Sequence, residues 1–166
     1  LFISNCSKLR VFLYFRTVLF SGELTVAAAA IQRPELFKAV VPVVAPLDML
    51  RMEKFTVGSF HVDEYGTVSD SLSFTRLKSY SPLHNIKEDV NYPAMLIMTS
   101  TNDDRVPPLH SYKFAARLQN RKAQTNPVLL RAEAKAGHYG ASGIYSGVRE
   151  EADLYAFIMQ LLAEEK

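Results

Sequence analysis

A chain of 166 residues with 48% hydrophobic and 22% charged side chains has the balance of one folded domain, or of a piece of one, and excludes a disordered segment. Its formal net charge is +2 and no run of five or six like charges occurs, which gives no support to a nucleic-acid or membrane-surface partner. Cys6 is the only cysteine, so an internal disulfide framework and a CxxC metal site are excluded, and a reducing compartment such as the cytoplasm fits.

In chain order, residues 1–21 are an atypical edge. LFISNCSKLRVFLYFRTVLF is apolar, but Lys8, Arg10 and Arg16 interrupt it and leave less than the ~18 uncharged residues a membrane span needs. It also lacks the basic start, clean apolar stretch and small-residue cleavage site of a signal peptide. GELTVAAAAIQR (22–33) predicts a helix stopped by Pro34. KAVVPVVA (38–45) reads as a short buried strand, with Pro42 awkward in its middle. Segment 47–92 breaks the rhythm with two expected short helices, the Tyr65-Gly66 pair and YSPLHNI. An insertion at the carboxyl ends of sheet strands is where binding walls are built.

PAMLIMT (93–99) and PVLLRAE (127–133) are two further strand-like runs, separated by an expected helix near 109–123. A last helix is expected over 146–164, with Val148, Ala152, Tyr155, Ile158, Met159 and Leu162 on one face. Strands alternating with helices imply an α/β fold, a parallel sheet covered by helices. Three strands are few for an open sheet, which suggests a fold truncated on its N-terminal side.

Two loops follow strand-like runs, TNDDRVPPLHS (101–111) and AKAGHYG (134–140). In open α/β sheets both would open on the active crevice. One offers the carboxylates Asp103 and Asp104 and the other His138, in the acid-then-histidine order of an α/β-hydrolase triad. A carboxylate can hold an imidazole by Nδ1–H and stabilise its charged form. Taken singly, an Asp-Asp pair after a strand is more often a turn or helix cap than a catalytic acid, and a GHYG more often a turn with an exposed histidine. The four histidines lack the i, i+4 spacing of a helical zinc pair.

TSTNDDRVPPLHSYKFAARLQ (99–119) is similar to the segment around the catalytic aspartate of the prolyl oligopeptidase family, and KAGHYG resembles that family's histidine loop. RPELFKAVV (33–41), EYGTVSD (64–70) and YSPLHNIK (80–87) resemble further blocks in the same order, so the likeness runs from about Gly22 to the chain's end. It implies the C-terminal part of an α/β-hydrolase catalytic domain over 22–166, belonging to a serine peptidase that cleaves short peptides through an acyl-enzyme. By the same resemblance Asp103 is the catalytic acid, His138 the general base, and Arg105 the binder of the substrate's backbone. No cofactor or metal is implied. The family's β-propeller, early sheet strands and oxyanion-hole tyrosine would precede the region matched.

Two departures from the family pattern stand out. The family's nucleophile lies in a Gly-Gly-Ser-Asn-Gly-Gly turn, where this chain reads VLFSGE. Aligned without gaps, Phe20 stands at the nucleophile. Ser21 takes that place only with one residue deleted, and its flanking glycines are then Leu19 and Glu23, too large for a strained elbow. The family's proline-stacking tryptophan is replaced by His61, with Phe60 beside it. The expectation is therefore a peptidase fragment inactive as given. The alternatives are a non-catalytic chain acting by association through exposed sheet edges, or another α/β-hydrolase such as an esterase or acyl-aminoacyl peptidase.

Overall fold

The computed structural model describes residues 11–14, 20–140 and 144–163. Four strands, Val11–Tyr14 (β1), Phe37–Val41 (β2), Ala94–Ser100 (β3) and Val128–Glu133 (β4), lie parallel in the order β1-β2-β3-β4. Parallel neighbours need crossovers, and helices supply them. Phe20–Gln32 (α1) joins β1 to β2, and Leu109–Gln119 (α4) joins β3 to β4. Between β2 and β3 lie two 3-10 turns, Met52–Lys54 and Thr56–His61, the one-turn helix Val62–Tyr65 (α2), helix Ser71–Tyr80 (α3) and a 3-10 turn at Pro82–Asn85. Ile144–Ala163 (α5) closes the described fold.

The alternation of side chains along β3 divides the core. Met95 and Ile97 face one side, where Val26, Ala27, Ala30 and Ile31 of α1 and Phe114, Ala115 and Leu118 of α4 pack. Ala94, Leu96 and Met98 face the other, covered by Leu154, Phe157 and Leu161 of α5. All seven residues of β3 are buried, as a strand covered on both faces requires. In β4 the burial lapses, with Leu129 and Leu130 exposed, because this strand ends the sheet among the described residues.

The α/β reading holds, with three differences of detail. A fourth strand, β1, lies inside the stretch read as an atypical edge, where its four residues had no turn signals around them to mark them out. Strand β2 stops at Val41, since Pro42 has no N–H for the ladder. The chain nevertheless keeps register, with Val43 opposite Met98 and the Pro42 carbonyl accepting from the Met98 amide at 2.9 Å. Helix α5 turns a different face inward from the one expected. Of the residues expected to face inward, Val148, Ala152, Tyr155, Met159 and Leu162 are exposed and Ile158 packs half-buried against the core, while Leu154, Phe157 and Leu161 are buried. The helix carries apolar residues on both sides, so periodicity alone could not choose between them.

Candidate active site

The two loops after β3 and β4 meet. Thr101 donates its amide to the Glu133 carbonyl and Asn102 to the Ala136 carbonyl, both at 2.9 Å, while Lys135 donates to Thr101 Oγ1 at 2.8 Å. The second loop turns through Gly140, at φ +84°, whose amide returns to the Gly137 carbonyl at 3.0 Å. This is the glycine whose freedom the turn uses; a side chain at that φ would be strained. Lys135 also sits at φ +57°, uncommon for a residue with a side chain.

The result is a close pair. Nδ1 of His138 lies 2.8 Å from Asp103 Oδ2 and 3.0 Å from Oδ1. A carboxylate at this site can only accept, so Nδ1 carries the proton and Nε2 is left to exchange one. The Asp103 side chain is fully buried, and its Oδ1 also accepts the amides of Arg105 at 2.9 Å and Val106 at 2.8 Å. Those bonds form a turn that fixes the carboxylate from below and lift Arg105 towards the histidine loop.

Arg105 is exposed, but it does not turn away. Its guanidinium donates to the Tyr139 hydroxyl at 2.7 Å and lies 4.9 Å from the centre of that ring, which itself stands edge-on to His138 at 5.4 Å. The Arg105 carbonyl accepts from Thr56 Oγ1 at 3.1 Å, which joins the acid loop to segment 55–65. Within that segment Phe60 is 82% exposed, and His61 faces Glu64 at 3.4 Å and the Tyr65 ring at 6.3 Å. The structure thus brings Asp103, His138 and Arg105 together and sets Phe60 and His61 further along the wall that Thr56 ties on. Tyr139 and Thr56 were not singled out in the sequence, since neither lies beside Arg105 along the chain.

A cavity of about 210 Å³ opens beside His138 at the carboxyl ends of β2, β3 and β4, with Val43, Ser100, Glu133, Glu150 and Glu23 on its walls. Glu23 of α1 is buried and accepts the Val43 amide at 3.0 Å. Ser21 lies in the first turn of α1; its side chain, like all of residues 15–19, falls outside the described residues. Among the described residues no group of three His, Cys, Asp or Glu side chains could hold a metal ion, and no helix is long and apolar enough to cross a membrane.

Residues 21–165 match the family model described as prolyl oligopeptidase family. The chain belongs to the prolyl oligopeptidase family. It is 47% identical over 140 residues to a prolyl endopeptidase of Elizabethkingia miricola, covering 84% of this chain and 20% of that protein. It is 40% identical over 145 residues to a prolyl endopeptidase of Dictyostelium discoideum, covering 86% and 19%. Among solved structures it matches a prolyl endopeptidase with TM-score 0.83 and 45% identity, over 86% of this chain and 21% of that one. The chain therefore spans about a fifth of the length of the relatives it matches. The parallel sheet with flanking helices is the part of the family's fold that these residues build.

Proposed function

We propose that this chain carries the acid and the general base of a serine peptidase that cleaves short peptides through an acyl-enzyme. The observation that carries the reading is the bond from His138 Nδ1 to both oxygens of the buried Asp103 carboxylate. In such a pair an attacking serine hydroxyl passes its proton to Nε2, the carboxylate stabilises the imidazolium, and the proton goes on to the leaving amine. Arg105 stands beside the histidine, where its planar fork suits a peptide carbonyl or carboxylate. Exposed Phe60 and half-buried His61 offer the face on which a substrate side chain would rest, and the prolyl endopeptidase relatives make proline the first residue to try there.

The same reading holds that residues 1–166 alone do not turn over peptides. Phe20 stands at the nucleophile when the chain is aligned without gaps, and with Ser21 there instead Leu19 and Glu23 stand where the elbow needs small residues; the Glu23 carboxylate is fixed on a backbone amide of the cavity wall. A non-catalytic chain that acts by association is the alternative these residues favour. Two measurements decide. A fluorophosphonate probe is expected not to label the folded chain; labelling abolished by Ser21→Ala would make Ser21 the nucleophile. In proton NMR a far-downfield imidazole proton of His138 is expected, and Asp103→Asn should remove it. A folded chain lacking that resonance would end the acid–base assignment and leave association as the surviving role.

A further inference from the structure

Behind the acid loop lies a second polar cluster, with no place in the chemistry just described. Asp48, after β2, has a fully buried side chain whose Oδ2 is paired with Lys113 of α4 and lies 3.4 Å from the Arg51 guanidinium. Its Oδ1 faces His84 Nε2 at 3.8 Å, and the other nitrogen of that ring meets Ser81 Oγ at 2.8 Å. The Asp48 amide donates to Nδ1 of His110 at 3.0 Å. His110 sits at the start of α4, seven residues after Asp103, and is 2% exposed. Its ring also stands edge-on to Phe55, with centroids 5.5 Å apart.

We infer that His110 is a positioning residue for the proposed peptidase site, clamping segment 48–56 onto the acid loop so that Asp103 and Arg105 are held against the histidine loop. The geometry is a closed ring of contacts. His110 fixes Asp48 through one bond and Phe55 through its ring edge; Phe55 precedes Thr56, and Thr56 Oγ1 grips the Arg105 carbonyl. From Arg105 the chain returns to His110 through Val106, buried at 2% exposure, and the His110 amide bonds the Pro107 carbonyl at 3.1 Å. Thr56 is held at φ +40°, a backbone state that persists only where surrounding contacts impose it. The clamp requires an imidazole that accepts at Nδ1, hence a neutral one. Burial supplies that condition by pushing the His110 value down to about 4, with the Lys113 charge adding to it and Asp48 and Asp103 opposing.

This inference rests on the peptidase reading, and the experiment separates the two. The 166-residue chain is labelled with 15N-histidine, and the downfield His138 proton is followed in the parent and in Asp103→Asn, His110→Gln, His110→Leu and Thr56→Val. Gln keeps an acceptor and should preserve the resonance; Leu removes it, and the resonance should broaden or vanish while circular dichroism still reports a fold. Thr56→Val changes an exposed side chain at the other end of the ring, so it tests the clamp even if the Leu variant does not fold, and it should also broaden the signal. A resonance that Asp103→Asn abolishes but Thr56→Val leaves sharp overturns the clamp alone. Loss of the resonance in His110→Gln as well as in His110→Leu overturns the acceptor role. A parent without the resonance overturns the peptidase reading instead.

Discussion

At His110 the fold selects one protonation state, and stability should follow the pH at which that state is lost. The folded ring titrates at about 4 and the unfolded one near 6.5. The depressed value means that the unfolded chain takes up the proton first as pH falls. The His110 contribution to stability is therefore fully present above about pH 6.5, declines below it, and is exhausted near pH 4. At 1.36 kcal/mol per pH unit the full loss is on the order of 3 kcal/mol. His84, also pushed down by burial and by the Lys113, Arg51 and Lys78 charges against the pull of Asp48, adds to the slope in the same window. Urea midpoints at pH 7.5, 5.5 and 4.5 measure this, and His110→Gln should flatten the slope without abolishing it. An unchanged slope in that variant would show that His110 binds its proton equally well in both states. Asp103 and His138 were legible as a pair because each follows an apolar run that had to be a strand, and strand ends converge. His110 and Thr56 were not, because their partners lie 62 and 49 residues away along the chain.

Among the elements, α4 was legible and its second purpose was not. Phe114 and Leu118 recur at helical spacing with His110 on the same face, and all three are buried. The helix stops at Gln119 because the Asn120 side chain turns back to the Ala116 carbonyl at 2.8 Å. Lys113 carries no signal in the sequence that sets it apart from other lysines, yet it holds the buried Asp48 carboxylate. Burial alone would raise that carboxyl; the hydrogen bond and charge of Lys113, with the charges of His84 and Arg51, together outweigh it and keep Asp48 below the usual carboxylate range. Lys113→Met should then leave the buried carboxylate with only the longer Arg51 contact, at 3.4 Å, to offset its charge. Breaking a buried pair from one side costs about 3–5 kcal/mol, and the low end applies because Lys113 is itself 31% exposed. Asp48→Asn in the same background should recover part of the loss, since no charge is then left unpaired. Chemical denaturation of the single and double variants checks this. A double variant no better than Lys113→Met would mean that Lys113 acts through packing, not charge.

Over the whole described molecule the two faces of the sheet are unequal. One is sealed by α1 and α4 with a broad core that includes Leu47, Tyr92, Met95 and Ile97. The other is closed by α5, which commits three buried side chains, Leu154, Phe157 and Leu161, and leaves Tyr155, Met159 and Leu162 in solvent. Elements with few buried contacts open first in local unfolding. The α5 amides should therefore exchange hydrogen through an opening of lower free energy than those of β3 or α4. The consequence reaches the candidate site, because the histidine loop lies between β4 and α5. Asp153 of α5 bonds Arg131 of β4 at 2.7 Å, and the Glu150 carboxylate sits so close to Gly140 that an added Cβ would lie 3.3 Å from it. An open α5 withdraws that support from the turn holding His138. Phe157→Ala removes the largest of the three anchors, at a cost of about 3–5 kcal/mol in the contacts it made. Native-state hydrogen exchange should show a lower opening free energy for α5 amides than for β3 amides in the parent and in that variant, with the downfield His138 proton broadened in the variant. Equal opening free energies for β3 and α5 amides in the parent would mean that the helix and the sheet open together, and that the histidine loop is as stable as the core itself.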